Sequence, residues 1–240
     1  MPANHEVMNC IITGASRGLG KAIAEKFAGG GYDLCLVSRS EDVLQRTADE
    51  LAAKYPAIGI RWRAFDLGDK GQAMACGEWI SAAGGSPDIL VNNAGQFIPG
   101  SVHDEADGVL EKMMDVNLYS AYHLTRVLLP AMIARKKGHI FNICSIASLK
   151  AYPNGGAYSI SKFALAGFSK NLREEMRPHG IKVTALYPGA AYTDSWAASG
   201  IDPIRIMEAG DIAEMVYAAS RLSAQAVVEE IVMRPQLGDL

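Results

Sequence analysis

No stretch of this chain approaches the ~18–20 consecutive apolar residues that a bilayer span requires. Charge of one sign is not in excess either. Twenty-three Lys and Arg against 26 Asp and Glu give a net charge of −3, which provides no strongly basic surface for nucleic acid or anionic lipid. Cysteine is scarce, with only Cys10, Cys35, Cys76 and Cys144, and these four show neither metal-ligand spacing nor the density of a disulfide scaffold. They read as reduced, buried thiols, three of them in expected strands. The five histidines are scattered, so no metal site is expected. The opening Met1-Pro2-Ala3-Asn4-His5-Glu6-Val7 has no signal-peptide pattern, and a cytoplasmic location is expected. Linkers, repeats and low-complexity tracts are missing as well. The 240 residues, 49% of them hydrophobic, suit one domain with a full core.

What the chain does have is a steady alternation of short apolar runs and helical periodicity. Strands are expected over residues 9–13, 32–37, 59–65, 89–92, 139–144, 182–187 and 230–233. Helices are expected after the first glycine turn, over about 41–54, 69–83 and 107–136, through Tyr158 and Lys162 to about 177, and over 211–221. This order predicts an α/β fold: a doubly wound parallel sheet with right-handed crossovers. Ligands of such sheets bind at the carboxyl ends of the strands.

The first strand, Asn9-Cys10-Ile11-Ile12-Thr13, runs into Gly14-Ala15-Ser16-Arg17-Gly18-Leu19-Gly20, and Ala22, Ile23, Phe27 and Ala28 then recur at helical spacing. Strand, glycine turn and helix set backbone N–H groups and a helix N-terminus against a phosphate. The spacing is Gly-x-x-x-Gly-x-Gly rather than Gly-x-Gly-x-x-Gly, and the glycines alone also fit an ordinary tight turn. The second strand ends at Ser38-Arg39-Ser40. There, folds that prefer NAD place an acidic side chain for the ribose 2′-hydroxyl. Ser38 and Arg39, with Arg17 in the turn, instead suit a 2′-phosphate, so NADP(H) is the expected cofactor. The alternative is that both arginines are solvated surface charges.

Tyr158 and Lys162 lie one helical turn apart, thirteen residues after Ser145. Their side chains share a helix face, and a nearby cation is expected to draw the phenol's pKa toward the working range. Taken alone, Tyr-x-x-x-Lys also fits a solvated surface pair. Asn117 sits in an apolar helical pattern with Leu110, Met113, Met114, Leu118, Ala121 and Leu124. An amide there is costly unless hydrogen-bonded.

Six ordered motifs together resemble the short-chain dehydrogenase/reductase family from about residue 8 to about 196. They are Thr13–Gly20; Asp66-Leu67; Asn92-Asn93-Ala94-Gly95; Asn117; Ser145 with Tyr158 and Lys162; and Pro188-Gly189-Ala190-Ala191-Tyr192-Thr193. The resemblance implies Asn117, Ser145, Tyr158 and Lys162 as catalytic residues. Tyr158 would be the acid in reduction, Lys162 would hold the nicotinamide ribose, and Asn117 would hold a relay water. It implies cofactor contacts from Gly14, Ser16, Arg17, Gly18, Leu19, Gly20, Ser38, Arg39, Asp66, Leu67, Asn93, Ala94, Gly95, Tyr158, Lys162, Pro188, Gly189 and Thr193. Asp66 also reads as a cap for the helix that follows. Substrate contacts would come from Ser145, Tyr158 and Trp196, the last in a short lid at about 190–210.

The implied activity is NADPH-dependent reduction of a small ketone or aldehyde, reversibly an alcohol dehydrogenase. The lid entry and the C-terminal run resemble bacterial sepiapterin-reductase-like members, so sepiapterin or a diketone is a candidate substrate. A 3-oxoacyl thioester reductase is the alternative, although Val228-Glu229-Glu230-Ile231-Val232-Met233-Arg234-Pro235 lacks that group's usual last strand. A non-catalytic NADP(H) sensor is a further one. In the family the long helices pair between subunits, so the resemblance implies a homodimer or homotetramer; the apolar residues on more than one face of the 107–136 helix fit such an interface or burial in a monomer core.

Overall fold

The computed structural model describes residues 8–82, 86–193 and 200–239. In chain order its main elements are β1 (Asn9–Thr13), α1 (Gly18–Gly29), β2 (Asp33–Ser38), α2 (Glu41–Lys54), β3 (Ile60–Ala64), α3 (Lys70–Ala82) and β4 (Ile89–Asn92). There follow α4 (Val109–Met114), a π-helical turn (Asp115–Tyr119), α5 (Ser120–Arg135), β5 (Gly138–Ile143), α6 (Gly156–Met176), β6 (Ile181–Pro188), β7 (Ala191–Tyr192), β8 (Met207–Glu208), α7 (Ala209–Ser220) and β9 (Glu230–Met233).

Seven strands form one sheet in the order β3-β2-β1-β4-β5-β6-β9, every neighbouring pair parallel. The inner strands are buried on both faces, which is why β1, β2 and β4 read as continuous apolar runs rather than alternating ones. On one face α1, α2 and α7 cover the sheet with Ile23, Phe27, Leu44, Leu51, Ile212 and Val216. On the other, α3, α5 and α6 contribute Cys76, Ile80, Leu124, Leu128, Leu172 and Met176. Helices α3 and α5 approach closely because Gly77 has no side chain; a Cβ there would lie 2.6 Å from Val127 Cγ1. The order reverses at β1, so a crevice opens between the carboxyl ends of β1 and β4.

Two expectations need correction. The helix expected over 107–136 is broken into α4 and α5 by the π turn at Asp115–Tyr119. A π turn inserts one extra residue into the helical repeat, and here it turns Asn117 inward, where the side chain is 1% exposed. The strand expected to include Cys144 ends at Ile143, since the chain swings into a 3₁₀ turn at Ile146–Ser148. The ends of the lid region are held by a two-stranded parallel ladder, Ala191 opposite Met207 and Tyr192 opposite Glu208. All four cysteines are buried free thiols. Among the described residues no helix is long and apolar enough to cross a membrane, and no group of His, Cys, Asp and Glu is placed to hold a metal ion.

Candidate active site

The first wall of the crevice is the glycine turn after β1. Gly14 has φ +65°, and a Cβ on it would stand 2.9 Å from Asn93 Nδ2. A Cβ on Gly20 would fall 2.2 Å from the Gly14 carbonyl oxygen, so any side chain there collides with backbone. Helix α1 starts at Gly18 without a side-chain cap, leaving its first N–H donors facing the crevice. Exposed backbone donors, a helix N-terminus and space kept open by glycine fit a dinucleotide pyrophosphate.

Thr13 and Asn93 hold this turn against β4. Thr13 Oγ1 accepts from the N–H groups of Asn93 and Ala94 at 3.0 and 2.9 Å. Asn93 Nδ2 donates to the carbonyls of Thr13 and Gly14 at 2.9 and 3.2 Å. The Asn93 amide is thus a brace across the crevice. Ser16 and Ser38 join their hydroxyls at 2.9 Å, and Thr47 donates to the Ser16 carbonyl at 2.8 Å. Arg17 and Arg39 are exposed, and neither has an ion-pair partner among the described residues. Asp66 accepts from the Gly68 N–H at 3.1 Å beside buried Leu67. The helix cap expected of Asp66 is supplied by Asp69, which accepts from the Gln72 N–H at 2.8 Å. At the far side, Gly189 donates its N–H to the Met233 carbonyl at 2.8 Å beyond Pro188. Thr193 lies against the glycine turn, 3.3 Å from where a Gly18 Cβ would be. Trp196 is outside the described residues.

The second wall is the end of β5 and the start of α6. Ser145 caps the 3₁₀ turn: its hydroxyl accepts from the Ala147 N–H at 3.1 Å, and its own N–H donates to Ser148 Oγ at 3.2 Å. The Ser145 hydroxyl lies near enough to the Tyr158 phenol to favour its ionised form. Lys162 is 5% exposed; its Nζ donates to the Ile143 carbonyl at 2.8 Å and stands 5.9 Å from the Tyr158 ring centroid. Burial pulls the Lys162 ammonium down to about 8. The phenol behaves differently from the sequence expectation. Burial raises its pKa, outweighing the nearby Ser145 hydroxyl, which lowers it. The buried ammonium is itself destabilised and hydrogen-bonded to backbone, so it does not bring the free site's phenol toward neutrality.

Asn117 is fully engaged. Its Oδ1 accepts from the Gln96 N–H at 2.7 Å, and its Nδ2 donates to the Gln96 carbonyl at 3.0 Å and to Ser161 Oγ at 2.9 Å. Ser161 in turn donates to the Tyr158 carbonyl at 2.7 Å. Between Asn117 and Lys162 runs the backbone of Gly95, where a Cβ would lie 3.1 Å from Asn117 Oδ1 and 3.5 Å from Lys162 Nζ. Beneath the site, Asn92 Nδ2 donates to Asn142 Oδ1 at 2.8 Å and to Thr125 Oγ1 at 3.0 Å, and Asn142 donates to Ser169 at 2.9 Å. These bonds join β4, β5, α5 and α6.

Several participants escaped the sequence reading. Thr13 and Ser148 have detectable signals, an adjacent hydroxyl in the glycine motif and a Ser-x-x-Ser capping pattern. Phe97 and Tyr152 do not. Phe97 packs edge-to-face on Tyr158 with ring centroids 4.8 Å apart, a contact made between the loop after β4 and the first turn of α6.

A parallel sheet with a glycine cradle at its topological switch point, beside a neighbouring serine, tyrosine and lysine, defines a nucleotide-dependent oxidoreductase class. The short chain dehydrogenase family profile matches residues 8–202. The chain is 36% identical over 189 residues to dehydrogenase/reductase SDR family member 7B of Bos taurus, covering 77% of this chain and 58% of that relative's length. It is 33% identical over 238 residues to a sepiapterin reductase of Chlorobaculum tepidum, covering 96% and 97% of the two chains. Among solved structures, a metagenomic short-chain oxidoreductase in complex with NADP superposes with a TM-score of 0.82 at 33% identity, covering 95% and 97%. The chain belongs to the short-chain dehydrogenase family of oxidoreductases.

Proposed function

We propose that this protein is an NADP(H)-dependent carbonyl reductase of small ketones or aldehydes, working in reverse as an alcohol dehydrogenase. One observation carries the reading: Ser145, Tyr158 and Lys162 meet beside the glycine cradle, all partly or wholly buried. The nicotinamide, when bound, supplies the hydride. Ser145 holds the substrate oxygen, and Tyr158 gives that oxygen its proton in reduction and takes it back in oxidation. The raised pKa of Tyr158 keeps it in the protonated form that reduction consumes. The Lys162 cation beside the ring favours the phenolate left after transfer. Asn117 keeps Gln96 and the Gly95 backbone in place next to the ammonium.

For the dinucleotide, the proposed contacts are the backbone of Gly14, Ser16, Arg17, Gly18, Leu19 and Gly20, then Ser38, Asp66, Leu67, Asn93, Ala94, Gly95, Pro188, Gly189 and Thr193. Tyr158 and Lys162 would serve the ribose as well as the chemistry. Arg17 and Arg39, without a carboxylate partner among the described residues, suit a 2′-phosphate, and the NADP carried by the metagenomic relative supports that preference. The full-length match to a sepiapterin reductase supports a small carbonyl substrate, with sepiapterin itself or a diketone as candidates. Tyr119, Tyr122, Ile160 and Phe163 leave a large part of their side chains exposed, which supports pairing of the long helices with a second copy.

Tyr158→Phe tests the chemistry. The variant is expected to bind NADPH like the parent in a fluorescence titration, with carbonyl reduction lowered by about 10²–10⁴-fold. Retained turnover would sink the assignment.

A further inference from the structure

Resting on the carbonyl-reductase reading, a second feature points to the substrate's shape. The Tyr158 ring has Phe97 set edge-on against it at 4.8 Å and 77°. Phe97 is nevertheless 54% exposed, and Tyr152, at the other side of the loop pair, is 42% exposed. The two tyrosines are near enough that Tyr158 helps to raise the Tyr152 phenol, after burial. Two large rings left open beside a buried phenol make an apolar mouth, and their exposure costs free energy that a ligand ring would recover.

These rings are held before any ligand arrives. Gln96, next to Phe97, is clamped through both backbone groups by Asn117. Three residues on, Gly100 donates its N–H to the Asn154 carbonyl at 3.2 Å, and Ser101 Oγ donates to Asn154 Oδ1 at 2.9 Å. Glu105 accepts from the Ala157 N–H at 3.2 Å. Asn154 has φ 62°, an uncommon backbone state for a residue with a side chain, and these cross-loop bonds help to maintain it. A Cβ on Gly156 would lie 2.5 Å from the Gly100 oxygen, so the loop carrying Phe97 and the loop carrying Tyr152 are in direct backbone contact. A preset pair of walls binds a rigid, flat group at low entropic cost. Among the described residues the polar groups that act on the Tyr158 phenol are Ser145 and Cys144, with no guanidinium or carboxylate among them, and the Lys162 ammonium 5.9 Å from the ring is taken up by the Ile143 carbonyl.

We propose that Phe97 and Tyr152 are specificity-determining residues. They select a neutral substrate whose carbonyl is joined to a planar, apolar ring, over small aliphatic or anionic carbonyl compounds. The ring would pack on the exposed side of Phe97 while the carbonyl oxygen reaches Ser145 and Tyr158.

The test compares acetylbenzoyl with diacetyl, two vicinal diketones that differ by a phenyl group, under NADPH. The parent enzyme is expected to favour acetylbenzoyl in kcat/KM by about tenfold or more. Phe97→Ala and Tyr152→Ala are each expected to cut that ratio by about tenfold, mainly through the KM for acetylbenzoyl. Circular dichroism and NADPH titration check folding, and Phe97→Leu and Tyr152→Leu serve where an alanine variant does not fold. Turnover of both diketones with no preference, or a preference that survives all these variants, would overturn the mouth and leave the carbonyl-reductase reading standing. Turnover of neither diketone by a parent enzyme that binds NADPH would instead count against that underlying reading, and the mouth would fall with it.

Discussion

Lys162 places an ammonium where burial works against its charge, and that conflict is readable in solution. Its pKa falls from 10.5 to about 8, while the Tyr158 phenol is moved the other way. Below about 8 the lysine is charged and the phenol protonated, the pair that reduction needs. As pH rises through about 8 the lysine loses its proton in the free enzyme, well before the phenol does. With NADPH varied at fixed carbonyl, kcat/KM is therefore expected to decline above that point, approaching about tenfold per pH unit. A flat profile up to pH ~10, the ordinary range of a tyrosine, would remove Lys162 from the reacting site. At this scale Tyr158, Lys162 and Asn117 could be singled out in the sequence, because helical spacing and an amide in an apolar stripe are one-dimensional signals. Phe97 could not. Its significance depends on the fold of two loops and on exposure, and neither leaves a periodic trace. The pKa of Tyr158 departs from expectation for a related reason: spacing brings a cation near, but only the fold says how deeply both groups are buried.

The order of strands and helices was legible as well, since hydrophobic period and glycine stops follow directly from backbone geometry. The π turn at Asp115–Tyr119 was not. It replaces one helical repeat with another of nearly the same composition, and its reason is the tertiary demand that Asn117 reach Gln96 and Ser161. The β7–β8 ladder escaped because two residues on each side are too few to form a pattern. Just past the π turn, Tyr122 is 36% exposed and packs edge-on against Phe168 of α6 at 5.6 Å. With Tyr119, Ile160 and Phe163 it forms the face proposed to meet a second copy. Sedimentation velocity is expected to give at least twice the 25.7 kDa chain mass, and Phe163→Glu to shift the population toward monomer. A parent that sediments as a monomer at micromolar concentration would refute the pairing.

Seen whole, the molecule puts its six sequence motifs at one end of one sheet. That convergence follows from parallel strands joined by right-handed crossovers, which bring every strand's carboxyl end to the same edge. The same geometry explains why fold and family are far better determined than substrate: the scaffold fixes the cradle and the Ser145–Tyr158–Lys162 group, while loops decide what fits above them. The central claim is NADPH-dependent carbonyl reduction, and initial-rate nicotinamide absorbance tests it most directly. The purified protein would be assayed with sepiapterin, diacetyl, acetylbenzoyl and an acetoacetyl thioester, each with NADPH and NADH in parallel, for the parent and Arg39→Ala. The account predicts turnover of at least one small carbonyl, NADPH preferred by the parent, and that preference eroded in Arg39→Ala. Activity confined to the thioester, or NADH used as well as NADPH by the parent, would contradict it.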